Sequence, residues 1–138
     1  MSDLPNPFPK LPHAHPFLLV DRVIEVEERR GTFLKLVSAS DPCIAPDDTL
    51  PAAFVLEALA QAAGALIGAQ STGGPELGYL AAVDDFQTSG DVKVGDELYL
   101  DVEIMRHFSA ATLFRGKARV GERVVAEGRF TLALPRLG

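Results

Sequence analysis

The stretch PAAFVLEALAQAAGALIGA, residues 51–69, carries one charge, Glu57, and one other polar side chain, Gln61. A segment this long and apolar reads as a helix that is greasy on every side, which belongs inside a protein or a bilayer. A carboxylate in such surroundings costs several kcal/mol, as an order-of-magnitude figure, unless it is protonated, paired or put to use. Glu57 and Gln61 stand four residues apart, share one helical face and can look at the same ligand. The function is expected at this pair.

The flanks agree with a helix. Pro51 suits a first turn, Thr49 and Asp48 are candidate caps, and QSTGGP (70–75) supplies residues that end a helix. SDPCIAPDDTLP (40–51) reads as the loop leading in. Upstream, the proline-dense opening to Pro16 reads as extended chain. A strand is expected over Phe17–Glu27, a turn at Arg29–Gly31 and a second strand from Thr32 to about Ala39.

Downstream the pattern changes to strands. Leu77–Val83 is short and apolar. Leu98, Leu100, Val102 and Ile104 alternate with polar or charged neighbours. Thr112, Phe114, Gly116, Ala118 and Val120 alternate with Leu113, Arg115, Lys117 and Arg119, and Val124, Ala126, Gly128, Phe130 and Leu132 form the expected inner parity of the last strand. Short connections at Ser109 and Gly121 suit antiparallel hairpins. The expected fold class is α+β, one long helix against a mostly antiparallel sheet. One sheet leaves part of an all-apolar helix uncovered, so pairing with a second copy is expected.

The chain of 138 residues makes a single domain, 1–138, large enough for a real core. Its net charge of −6 argues against nucleic-acid binding. Glu57 and the flanking polar strands argue against a membrane span. One cysteine, Cys43, fits a reducing compartment, and MSDLPNPFPK has no apolar signal core, so a cytoplasmic protein is expected. The three histidines and the cysteine show no recurring ligand spacing, so neither metal nor other cofactor is expected.

LPHAHPFLLVDRVIEVE (11–27), LEALAQAAG (56–64), GYLAAVDDF (78–86) and VGDEL (94–98) occur in that order. Together they resemble the 3-hydroxyacyl-acyl-carrier-protein dehydratases along nearly the whole chain. The resemblance implies a hot-dog fold, a curved antiparallel sheet around one helix, usually dimeric with sites between subunits. It implies removal of water from a 3-hydroxyacyl thioester to give the 2-enoyl thioester. In that family a His takes the α-proton and a Glu assists departure of the β-hydroxyl. The Glu corresponds to Glu57. The His has no counterpart: counted back without gaps, Cys43 stands in its place, and aligning Asp41–Pro42 with the family's acidic–Pro pair deletes the His with its loop. The basic residues common after the Y-x-A-x-x-D segment are replaced here by DDFQTSGDV (84–92), which puts carrier-protein docking there in doubt.

The expected site is therefore Glu57 as catalytic group, with Gln61, Ala52, Ala53, Cys43 and His13 as substrate-binding candidates. Backbone amides near Ala52 and Ala53 suit a thioester carbonyl oxygen. His13 and His15 are more plausibly turn residues than replacement bases. Cys43 reads better as a small buried hydrophobe than as a nucleophile. Asp47 and Asp48 read as capping groups, His107 as solvent-facing, and Arg115, Lys117 and Arg119 as a solvated face. The ligand class is an acyl thioester of acyl carrier protein or coenzyme A. The expected assembly is a homodimer or higher even oligomer, with a heterodimer with a related subunit kept open. Two alternatives remain open beside a dehydratase: a thioesterase using Glu57, and a non-catalytic subunit supporting an active partner.

Overall fold

The computed structural model describes residues 19–70 and 79–133. Six strands and one helix follow in the order β1 (Arg22–Val26), β2 (Arg30–Leu36), α1 (Ala52–Gln70), β3 (Tyr79–Thr88), β4 (Glu97–His107), β5 (Ala111–Val120) and β6 (Arg123–Ala133). They form one sheet in the order β1-β2-β4-β5-β6-β3. Every neighbouring pair is antiparallel.

The alternation read from the sequence is the alternation of the sheet on β4 and β5, and on β6 from Ala126 onward; at the start of β6, opposite an irregularity between Ala118 and Arg119, Val125 is buried in place of the expected Val124. Leu98, Leu100, Val102 and Ile104 on β4, and Phe114 and Ala118 on β5, are all buried against the helix side. Phe114 and Phe130 stack with ring centroids 5.6 Å apart. Gly116 leaves room for Leu59 of the helix; a Cβ there would meet both Leu59 methyls at 3.4 Å and Phe130 at 2.7 Å. On α1 itself Ala58, Leu59, Ala62, Ala63 and Leu66 are fully buried. One sheet thus covers the middle of the helix, and what stays exposed among its described residues is its beginning, Ala52, Ala53 and Phe54, and Ala69 near its end.

Several boundaries differ from expectation. The first strand is shorter than Phe17–Glu27, beginning at Arg22. The third runs on to Thr88, through Asp84 and Asp85, because β6 reaches across: Arg129 holds both carboxylates from the neighbouring strand. A bulge falls between Asp84 and Gln87, with Asp85 at φ 54. There the Phe86 backbone closes on Gly128, where a Cβ would lie 2.6 Å from Phe86 Cα. The expected caps at Asp48 and Thr49 are corrected. Pro51 O starts the helix by accepting from Phe54 and Val55 amides. Asp48 instead sits at φ 65 and its carbonyl accepts from Val94, while Thr49 bridges Lys93. The lead-in loop is thereby sewn to the β3–β4 connection. The proline-dense opening and the helix-ending segment 71–75 lie outside the described residues.

Candidate functional site

Glu57 is half-buried on α1, beside fully buried Ala58 and Leu59. One turn further along, Gln61 is only 1% exposed. Its carboxamide is bonded at both ends. Oε1 accepts the backbone N–H of Leu19 at 2.6 Å, and Nε2 donates to Glu57 Oε1 at 3.4 Å. Leu19 and Val20, at 4% and 0% exposure, lead into β1 and press against the helix. The pair singled out from the sequence is thus one bonded unit, tied to the first strand by a contact 42 residues apart in sequence.

The helix start lies within the same turn and a half. Ala52 and Ala53 are exposed, and their amides precede the first intrahelical bond. No acidic side chain occupies the first turn, so the positive end of the helix is not offset there. This is a place where a carbonyl oxygen can be held.

Cys43 is half-buried in the lead-in loop. Burial pushes its thiol up, the Lys35 ammonium pulls it back and the Asp41 carboxylate adds to the rise. A thiol held protonated is a weak nucleophile and a weak base. Asp47 accepts from the Thr49 hydroxyl at 2.6 Å, which lowers its carboxyl, and so shapes the loop. His107 is exposed, its Nδ1 3.1 Å from Thr112 Oγ1. His13 and His15 lie outside the described residues.

One group escaped the sequence reading. Lys35 is 1% exposed on the helix-facing side of β2, opposite the buried Leu98. Its Nζ meets Asp41 Oδ2 at 3.0 Å, and the same oxygen accepts the Ser38 N–H. The buried ion pair ties the sheet interior to the loop that carries Cys43. Its signal was available: Gly31, Phe33, Lys35 and Val37 share one strand parity, and a lysine in an apolar row is anomalous.

The opposite face of the sheet is charged. A groove of about 610 Å³ is lined there by Glu25, Arg30, Thr32, Asp101, Arg115 and Lys117, among others. Arg119 bonds Asp101 at 2.8 Å and lies over the Tyr99 ring. Mixed charge on the solvent side, with the sheet between it and α1, separates this groove from Glu57.

A family profile described as ApeP dehydratase, ApeP-like, matches residues 6–137. The 3-hydroxyacyl-acyl-carrier-protein dehydratase FabZ of Histophilus somni is 40% identical over 129 residues, covering 89% of this chain and 85% of its own. Among solved structures, the dehydratase heterocomplex ApeI:P from Xenorhabdus doucetiae superposes with a TM-score of 0.89 at 24% identity, covering 98% and 93% of the two chains. A hypothetical thioesterase with coenzyme A from Streptococcus pneumoniae gives a TM-score of 0.67 at 14% identity, covering 83% and 84%. The structural likenesses establish the hot-dog fold.

Proposed function

This chain belongs to the ApeP-like dehydratase family, and from that premise we propose that it binds an acyl thioester and supplies Glu57 to the dehydration of a 3-hydroxyacyl group. In that reaction a base takes the α-proton, and the electron pair left behind forms the carbon–carbon double bond. The β carbon–oxygen bond breaks, and its pair leaves with the oxygen. Glu57 protonates that oxygen, so water departs and the 2-enoyl thioester remains. The amides at Ala52 and Ala53 hold the thioester carbonyl while negative charge builds on it.

The observation that carries this reading is a half-buried carboxylate on an otherwise apolar helix, gripped by a buried carboxamide beside an open helix start. The loop leading to the helix, residues 38–50, contains no histidine. Cys43 is a poor substitute with its thiol pushed up by burial. The base is therefore assigned to a second, related chain, which makes this protein one partner of a composite site. The matched Xenorhabdus doucetiae protein is a dehydratase heterocomplex, which supports that assignment. The docking edge is β3, which has one strand neighbour among the described residues, exposes Ala81 and Ala82, and leaves Val83 44% exposed. A homodimer along the same edge is the competing assembly.

The test is hydration of 2-enoyl thioesters of coenzyme A and of acyl carrier protein. The chain is assayed alone and mixed with a related dehydratase subunit that bears a histidine. Activity is expected in the mixture, falling at least about 100-fold on Glu57→Gln while the subunits still associate. Full activity in Glu57→Gln overturns the reading. Release of free thiol without hydration moves it to hydrolysis.

A further inference from the structure

The charges on the outer face of the sheet are sorted by position. In register across the strands, Glu103 on β4 faces Arg115 on β5, Arg115 faces Arg129 on β6, and Arg129 faces Asp84 on β3. In a second row Asp101 faces Lys117, and Lys117 faces Glu127. The cations thus stand in the middle of the sheet, and the row that reaches β3 ends in acid. There a single Arg129 nitrogen, Nη2, holds both Asp84 and Asp85, at 2.9 and 2.5 Å. One guanidinium against two carboxylates leaves one negative charge. Both side chains stay well exposed, at 66% and 69%, on a strand whose one neighbour among the described residues is β6.

This edge is built to pair, but not with itself. Two copies of β3 laid antiparallel over the whole of Tyr79–Thr88 put the two-fold axis between Val83 and Asp84. Asp84 of one chain then lies diagonally across from Asp85 of a second copy, at roughly 7–8 Å. That is within the screening length of about 8 Å at physiological salt, so the two excess charges repel. We infer that Asp84 and Asp85 select the partner at the β3 edge, disfavouring a second copy of this chain and favouring a strand edge that presents lysine or arginine opposite them. The inference rests on the reading of this chain as one half of a composite site, and names the chemistry of the other half. Selectivity is a difference of affinities, and one acidic pair supplies both signs of it. Val83 plays another part: it is the apolar centre of the edge, where any charge costs desolvation whichever chain docks.

The test needs only this chain and one charge-reversed copy, Asp84→Lys/Asp85→Lys. Wild type and variant, carrying tags of different mass, are mixed in equal amounts and their dimers counted by native mass spectrometry. The mixed dimer is expected to outnumber each homodimer by about tenfold or more, against twofold for random pairing. A wild type that stays monomeric while the mixture dimerises is the same result in its extreme form. Asp85→Asn leaves one carboxylate against one guanidinium, so its self-association is expected to tighten about three- to tenfold. Salt separates attraction from repulsion. Between about 50 and 500 mM sodium chloride the wild-type homodimer is expected to tighten and the mixed dimer to weaken. The histidine-bearing subunit of the activity assay is expected to bind wild type more weakly over the same range.

Random proportions in the mixture, a wild-type homodimer that loosens with salt, or an Asp85→Asn chain that pairs no better each overturn the inference. Should the charge-reversed copy fail to fold, the Asp85→Asn and salt measurements decide the matter without it. Glu57 stands on the helix, away from this seam, so Glu57→Gln is expected to leave the proportions of dimers unchanged. Activity indifferent to Glu57→Gln fails the dehydratase reading and leaves the sorting of partners intact. Random pairing in an assembly whose activity needs Glu57 fails only the role given to Asp84 and Asp85.

Discussion

Replacing Asp41 with alanine is expected to destabilise the fold far more than replacing its partner Lys35 with methionine. The two charges meet at 3.0 Å, with side-chain exposures of 2% for Lys35 and 20% for Asp41. At an effective dielectric near 20, a separation of 3.0 Å gives an attraction of about 5–6 kcal/mol. Desolvation of the two ions costs several kcal/mol each, so the pair as a whole lies near balance. Asp41→Ala removes the attraction and leaves the cost of a buried ammonium, a loss of about 3–5 kcal/mol. For a domain of this size that lowers the melting temperature by roughly 10–20 °C. Lys35→Met removes the buried ion and keeps its apolar stem, while Asp41 retains the Ser38 amide and some water. Its cost is expected within about 1 kcal/mol, and the double variant should recover most of what Asp41→Ala loses. Urea unfolding of the three variants, with slopes checked for constancy, measures this directly. Equal losses from the two single variants would refute the argument, as would a loss below about 1 kcal/mol in Asp41→Ala.

Further outcomes follow from named contacts. Because burial pushes the Cys43 thiol up, its alkylation by iodoacetamide should reach half its maximal rate at a higher pH in the folded chain than in the unfolded one. The stability carried by the protonated thiol is complete below the unfolded thiol's value and fades as pH climbs through the folded one. Lys35→Met removes the opposing influence and should shift the alkylation profile further up; a downward shift would contradict the assignment. Gly128→Ala drives a Cβ to 2.6 Å from Phe86 Cα and 3.0 Å from Asp85 O, both backbone, and should cost about 1–3 kcal/mol in chemical unfolding. Leu59→Ala, at a site with no exposure, should cost about 2–5 kcal/mol and leave the sheet's strand order intact by amide exchange. Val83→Lys on the open edge should abolish association in sedimentation without lowering the stability of the chain.

Periodicity proved informative wherever the physics is local. An all-apolar run with one carboxylate marks a core helix, and period-two alternation states which side chains of β4, β5 and β6 face it, whatever lies next door. The same signal led the eye past Lys35, since a single charge in an apolar row is read as an exception until its partner is known. It also cut β3 short at Val83, because Asp84 and Asp85 look unlike strand interior until Arg129 is placed opposite them.

Glu57 and Gln61 were therefore legible as a pair sharing a face, from helical spacing alone. That one donates to the other, and in which sense, depends on Leu19, which reaches Gln61 only once the segment leading into β1 has folded onto the helix. The placing of β3 beside β6, and of Asp41 against Lys35, has the same origin. Chain order specifies the chemistry and facing of each side chain, because those follow from torsion and period. Which groups end up touching across long stretches of chain is settled by packing, since it depends on how all the surfaces close together.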